Sequence, residues 1–102
     1  MRAAPLLLPL ALVASATACG GGGDNVAQHQ RYLWVQTCAE CHAIEQGARS
    51  PAVNAKNLWD ARPTYQQVRR AVIDGRPGMP KGLLGGDDVD AIAAYVVART
   101  KR

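Results

Sequence analysis

Cys38-Ala39-Glu40-Cys41-His42 sets two thiols three residues apart and an imidazole directly after the second. On a helical turn, two thiols at that spacing can each add to one of the two vinyl groups of a haem as thioethers. The following histidine then projects beneath the ring toward the iron. Cys-x-x-Cys-His is the sequence signature of that attachment. Three other chemistries use similar residues. A thioredoxin-like redox pair needs a βαβ setting, and no segment here alternates convincingly as a strand. A zinc site built from Cys38, Cys41, His42 and His29 lacks the usual second half of a zinc motif, and adjacent Cys41 and His42 are awkward joint ligands. A plain Cys38–Cys41 disulfide would leave a weak core unexplained.

That core is thin because the 102 residues include two Trp, three Tyr and no Phe. A domain this small is marginal without a metal, a disulfide or a cofactor. The hydrophobic share of 48% excludes a disordered chain. The charge of +4 is mild and its basic residues are scattered, whereas a nucleic-acid binder concentrates them. Three cysteines cannot all pair within one chain.

A haem held at Cys38 and Cys41 with His42 on one face needs a second axial ligand or leaves that position open. Met79 is the only methionine besides Met1 and lies in Gly78-Met79-Pro80. A lone Met is more often packing than ligand. This one sits in a glycine-rich loop that is poor core territory, far enough beyond His42 for the chain to wrap around a ring and return. His29 lies on the same helix as the motif, badly placed for the opposite face, and reads as a surface histidine.

Working outward, residues 1–18 read as an export signal rather than as fold. Arg2 supplies a positive start, Ala3 to Ala14 is apolar but broken by Pro5 and Pro9, and small residues lead to Cys19. The run ending at Cys19 resembles a bacterial lipoprotein signal, in which that cysteine becomes the first mature residue and carries lipid. Ala16 stands where such signals usually have Leu, and ordinary cleavage near Ala18 is the alternative. Residues 19–25, with Gly20 to Gly23, then read as a tether, and the folded domain spans 26–102. Lipidation also accounts for the odd cysteine.

The domain reads as all-α. A first helix is expected after a cap at Asp24 or Asn25, ending between Cys38 and Cys41. Ala43 to Lys56 reads as loop, and Leu58 to Ala61 as a short turn of helix. Thr64-x-x-Gln67 is a capping box opening a second clear helix that Gly75 closes. Arg76 to Gly86 is irregular. The last helix is expected to be capped by Asp87, with Asp88 and Asp90 in its first turn and Arg99 near its end, matching the helix dipole. Val89, Ile92, Ala93, Val96 and Val97 form its apolar face.

Together these motifs resemble the class I c-type cytochromes of the small monohaem bacterial kind, over about residues 26–99. The resemblance rests on Cys38-Ala39-Glu40-Cys41-His42, on Gly75-Arg76-Pro77-Gly78-Met79-Pro80 and on the closing helix from Asp87 to Val96. Trp34, four residues before the first cysteine, and Tyr95 match the family's aromatics at the helix crossing, whereas Gln30 stands where the family usually has Gly. The resemblance implies a compact fold of three main helices wrapped around one covalently bound haem, with irregular loops between them. It also implies a loop proline whose carbonyl accepts a hydrogen bond from the ligating histidine, a role for which Pro51 is the candidate. Asn57, Leu58, Trp59 and Arg62 look like the segment along the haem edge, with Trp59 or Arg62 near a propionate.

These readings converge on an exported one-electron carrier, not an enzyme. Cys38 and Cys41 hold haem c, and His42 and Met79 are the axial iron ligands. Its partners are a redox donor and acceptor such as a dehydrogenase, a quinol-oxidising complex or a terminal oxidase. A lipid at Cys19 would hold it, as a monomer, on the outer side of the cytoplasmic membrane or in the periplasm, with no role for nucleic acid. The rival readings are a haem enzyme or gas sensor with an open sixth position, and a small zinc module.

Overall fold

Apolar residues recur at helical spacing beyond the glycine tract, and a computed structural model describing residues 22–102 shows helices there. Helix α1 runs Gly22–Leu33 and continues without a break into a wide π turn, Trp34–Cys38. A short α2 spans Leu58–Ala61, α3 spans Tyr65–Asp74, and α4 spans Asp87–Arg99. Among the described residues the only extended pairing is an isolated bridge between Arg76 and Met79. The expected export signal and Cys19 lie outside the described residues.

Two helix starts differ from expectation. α1 already includes Gly22, so Asp24 and Asn25 fall inside its first turns rather than at its cap, and the tether gives up its last residues to the helix. At α4 the cap is Gly86, not Asp87. Gly86 has φ 57, a backbone conformation that L side chains resist, so glycine takes the boundary. Asp87, Asp88 and Asp90 act from inside the first turn. α3 begins as the sequence indicated. Thr64 Oγ1 accepts from the Gln67 N–H at 3.1 Å, and Gln67 Oε1 accepts from the Thr64 N–H at 2.8 Å.

α4 is the central element, packed against α3 on one side and α1 on the other. Val89, Ile92, Ala93 and Val96 are buried on it, at the spacing of one helix face. They meet Val68 and Val72 of α3, Leu33 and Trp34 at the junction of α1 with its π turn, and Cys38 and Ile44 beyond. The Trp34 and Tyr95 rings stack obliquely, 5.9 Å between centroids. The one buried polar residue among those described, Thr100, satisfies its hydroxyl on the Val96 carbonyl at 2.9 Å.

Exposed polar ties fix how the helices sit. Asp90 accepts from Arg69 Nε at 2.8 Å and from the Tyr65 hydroxyl at 2.9 Å, joining α4 to α3. The bond from Arg69, then that from Tyr65, holds the Asp90 carboxyl below the usual carboxylate range. The same bond to Asp90 raises the Tyr65 phenol. His29 Nε2 meets Asp88 Oδ1 at 2.9 Å, joining α1 to α4. Pairs this exposed contribute little stability; their effect is on register.

The loop after α3 is built by glycine. Arg76-Pro77-Gly78-Met79 closes as a tight turn, the Met79 N–H donating to the Arg76 carbonyl at 2.7 Å and the Arg76 N–H returning to the Met79 carbonyl at 2.9 Å. Proline at the second position and glycine with φ 83 at the third suit a type II turn. Gly75 is tighter still: at φ 78, a Cβ on it would lie 2.9 Å from the backbone of both Lys81 and Met79. Gly75→Ala is therefore expected to destabilise the fold by roughly 1–3 kcal/mol, lowering the thermal midpoint. An unchanged midpoint would refute this close approach.

Candidate functional site

The π turn delivers the thiols. Within it the Ala39 N–H reaches back five residues to the Trp34 carbonyl at 2.9 Å. Such widened turns occur often at functional sites. The Cys38 carbonyl then accepts from both the Cys41 N–H at 3.1 Å and the His42 N–H at 2.9 Å. One acceptor thus ties the two cysteines and the histidine into a single turn. Cys38 is buried in the core cluster, whereas Cys41 is exposed. Burial, with a smaller contribution from Cys41, pushes the Cys38 thiol up to about 11. A thioether carries no ionisable hydrogen and tolerates the same burial.

His42 is half-buried, and its orientation is set from behind. Its Nδ1 donates to the Lys56 carbonyl at 2.7 Å. That bond commits Nδ1 as the donor and leaves Nε2 with the free lone pair that a metal requires. Pro51 was expected to provide this carbonyl and does not. The loop first packs against the motif through its own backbone, with the Ala52 N–H on the Cys41 carbonyl at 3.2 Å and Ser50 Oγ accepting from the Ala43 N–H at 3.0 Å. Pro51 is left exposed. Only at Lys56 does the chain come back beside the imidazole, where the Leu58 N–H closes onto the Ala43 carbonyl at 2.8 Å.

Met79 is half-buried and packs against the core cluster, as do Leu58, Leu83 and Leu84. Val68, Val72, Ile92 and Val96 are all buried in that cluster. Trp59 is half-buried beneath Arg102, whose guanidinium lies 4.5 Å from the ring centroid and also donates to the Trp59 carbonyl. Arg62 is exposed and ends α2 in the left-handed conformation, φ 51. His29 is taken up by Asp88. Among the described residues no three His, Cys, Asp or Glu side chains gather as a metal site of their own.

Asn57 is the residue that sequence reasoning under-read. It is the cap of α2, and its side chain also bridges two loop carbonyls. An Asn directly before the short helical pattern was the available signal for the cap. Nothing in the pattern marked the bridging.

The donor set suits a haem: two thiols on one turn, an imidazole whose Nε2 is free, and a half-buried thioether on a loop packed against the same core. No curated protein and no solved structure gives a match to the chain. The family described as Cytochrome C oxidase, cbb3-type, subunit III matches residues 25–96, a span that contains Cys38, Cys41, His42 and Met79. The chain belongs to that family: it is an all-α c-type cytochrome domain, the kind that carries covalently bound haem c with its iron and serves electron transfer.

Proposed function

We propose that this domain is a one-electron carrier, exported and held at a membrane surface, whose His42 and Met79 are the two axial ligands of a haem attached at Cys38 and Cys41. The observation that carries the reading is the His42 Nδ1 bond to the Lys56 carbonyl, 2.7 Å long, which leaves Nε2 free for iron. When bound, the haem supplies a metal that exchanges single electrons with little change in structure. The chain does the rest. The two cysteines hold the ring's position. Lys56 keeps the imidazole in one tautomer. The tight turn at Arg76–Met79, anchored by Gly75 and by the Gly82 N–H on the Val72 carbonyl at 3.0 Å, holds the thioether where it stabilises the ferrous state. Leu58, Trp59 and Arg62 would line the ring's edge. Val68, Val72, Ile92 and Val96 exclude water and raise the potential further.

With His42 and Met79 as its ligands, the iron would have no open position for a substrate, and the chain would work as a carrier rather than an enzyme. Residues 1–18 direct export, and Cys19 takes lipid that holds the domain at the membrane. Its partners are a redox donor and an acceptor. The mild basic excess, reduced by one when Arg2 leaves with the signal, favours a mildly acidic docking face and a salt-dependent rate.

The test is an absorption spectrum of the matured protein, oxidised and reduced, with and without CO, paired with its intact mass. Expected are a haem's mass on the chain, sharp low-spin bands on reduction, and no change with CO. A high-spin ferrous spectrum that shifts on adding CO would overturn the His/Met assignment. A chain without haem mass would overturn the whole reading.

A further inference from the structure

The hydrogen bond from His42 to the Lys56 carbonyl is only as strong as the placement of that carbonyl. A free loop would let it wander, because Lys56 itself is exposed. The placement comes from the next residue. Asn57 uses every polar atom of its side chain. Its Nδ2 donates to the Glu45 carbonyl at 2.9 Å and to the Ala48 carbonyl at 2.7 Å, and its Oδ1 accepts from the Trp59 N–H at 2.8 Å. Two of these bonds fasten the 45–48 loop, and the third fastens the start of α2. The Leu58 N–H on the Ala43 carbonyl, 2.8 Å, completes a closed frame whose corners are Ala43, Glu45, Ala48, Asn57 and Leu58. His42 and Lys56 are the residues immediately outside this frame on its two strands of chain.

We propose that Asn57 is a positioning residue for the iron's proximal histidine: by clamping two loop carbonyls it holds the Lys56 carbonyl against His42 Nδ1 and so tunes the redox potential. The inference rests on His42 being the ligand. Its physical content is electronic. A carbonyl accepting from Nδ1–H makes the imidazole a stronger donor through Nε2, and a stronger donor favours ferric iron. Loosening the clamp weakens that push, so the potential rises. Capping α2 is a separate task of the same side chain, because only Oδ1 performs it.

That division supplies the experiment. Asn57→Ala removes cap and clamp. Asn57→Ser retains an uncharged oxygen for the Trp59 N–H but carries no second donor to span Glu45 and Ala48. Both holoproteins are titrated for midpoint potential, and the His42 Nδ1–H is followed by proton NMR for shift and solvent exchange. Expected in both variants are a raised potential, a displaced Nδ1–H resonance, and exchange faster by about tenfold or more, since both variants lose the clamp onto the Glu45 and Ala48 carbonyls. Should Asn57→Ser keep the wild-type potential and resonance while Asn57→Ala only melts earlier, Asn57 is a cap and the proposal is overturned. The wild-type protein separates this from failure of the ligand assignment. If its reduced form shows no His42 ring resonances shifted by a haem, the assignment itself is wrong; if they are present and unmoved in both variants, only the role of Asn57 fails.

Discussion

Replacing both Cys38 and Cys41 by alanine is expected to give a colourless chain that has lost most of its helix. The expectation follows from what the core contains. Its largest fully buried side chains are Ile92, Val72, Val96 and Thr100, and no buried aromatic besides Trp34 joins them. Small domains retain only about 5–15 kcal/mol of net stability. Each buried aliphatic side chain contributes about 1.5–3 kcal/mol against the entropy of ordering the chain. Met79, Leu83 and Leu84 sit only half-buried on a loop held mainly by glycine turns, so that side of the core has little to close it unless a large apolar group is bound. The double substitution removes both proposed points of covalent attachment. Two measurements check it: haem absorbance of the exported product and far-ultraviolet circular dichroism through a thermal ramp. A colourless variant that still melts cooperatively with full helix content would show that the side chains alone make this fold. Single substitutions at Cys38 and Cys41 should fall between, since one thioether still tethers the ring.

The helices were legible because each depends on signals within a few residues. The α3 capping box and its closing glycine were complete in Thr64, Gln67 and Gly75. The face of α4 was legible from the spacing of Val89, Ile92, Ala93 and Val96. What sequence could not place were features decided by the path of a loop. Whether Pro51 or Lys56 turns its carbonyl to His42 depends on how residues 43–57 fold back, and that path is set by Asn57, Ser50 and backbone bonds with no periodicity. The cap of α4 went to Gly86 rather than Asp87 for a related reason. The chain enters that helix through a positive φ, and a local preference for aspartate at caps yields to the direction of entry. The π turn is equally invisible in composition, since one extra residue per turn leaves no mark in the run from Trp34 to Cys38. The motif itself was clear throughout, because covalent attachment demands fixed spacing.

The second large effect is expected at Met79. Met79→Ala should leave the haem covalently bound, because Cys38, Cys41 and His42 are untouched, while the midpoint potential falls on the order of 0.2 V, a fraction of the span that axial ligands command. At fixed ambient potential that is more than a thousandfold shift toward the ferric form, at about 59 mV per decade for one electron. The direction follows from the thioether, a soft donor that favours ferrous iron; water or hydroxide taking its place favours ferric. The reduced variant should also bind CO, which the parent protein is expected not to do. Stability should change less than potential, since Met79 is only half-buried and the backbone of its turn, from Arg76 to Met79 with Gly75 behind it, is held by bonds that the substitution leaves intact. This separation of readouts is what identifies a ligand. A packing methionine predicts the reverse: a lowered thermal midpoint, a potential near that of the parent, and no CO adduct.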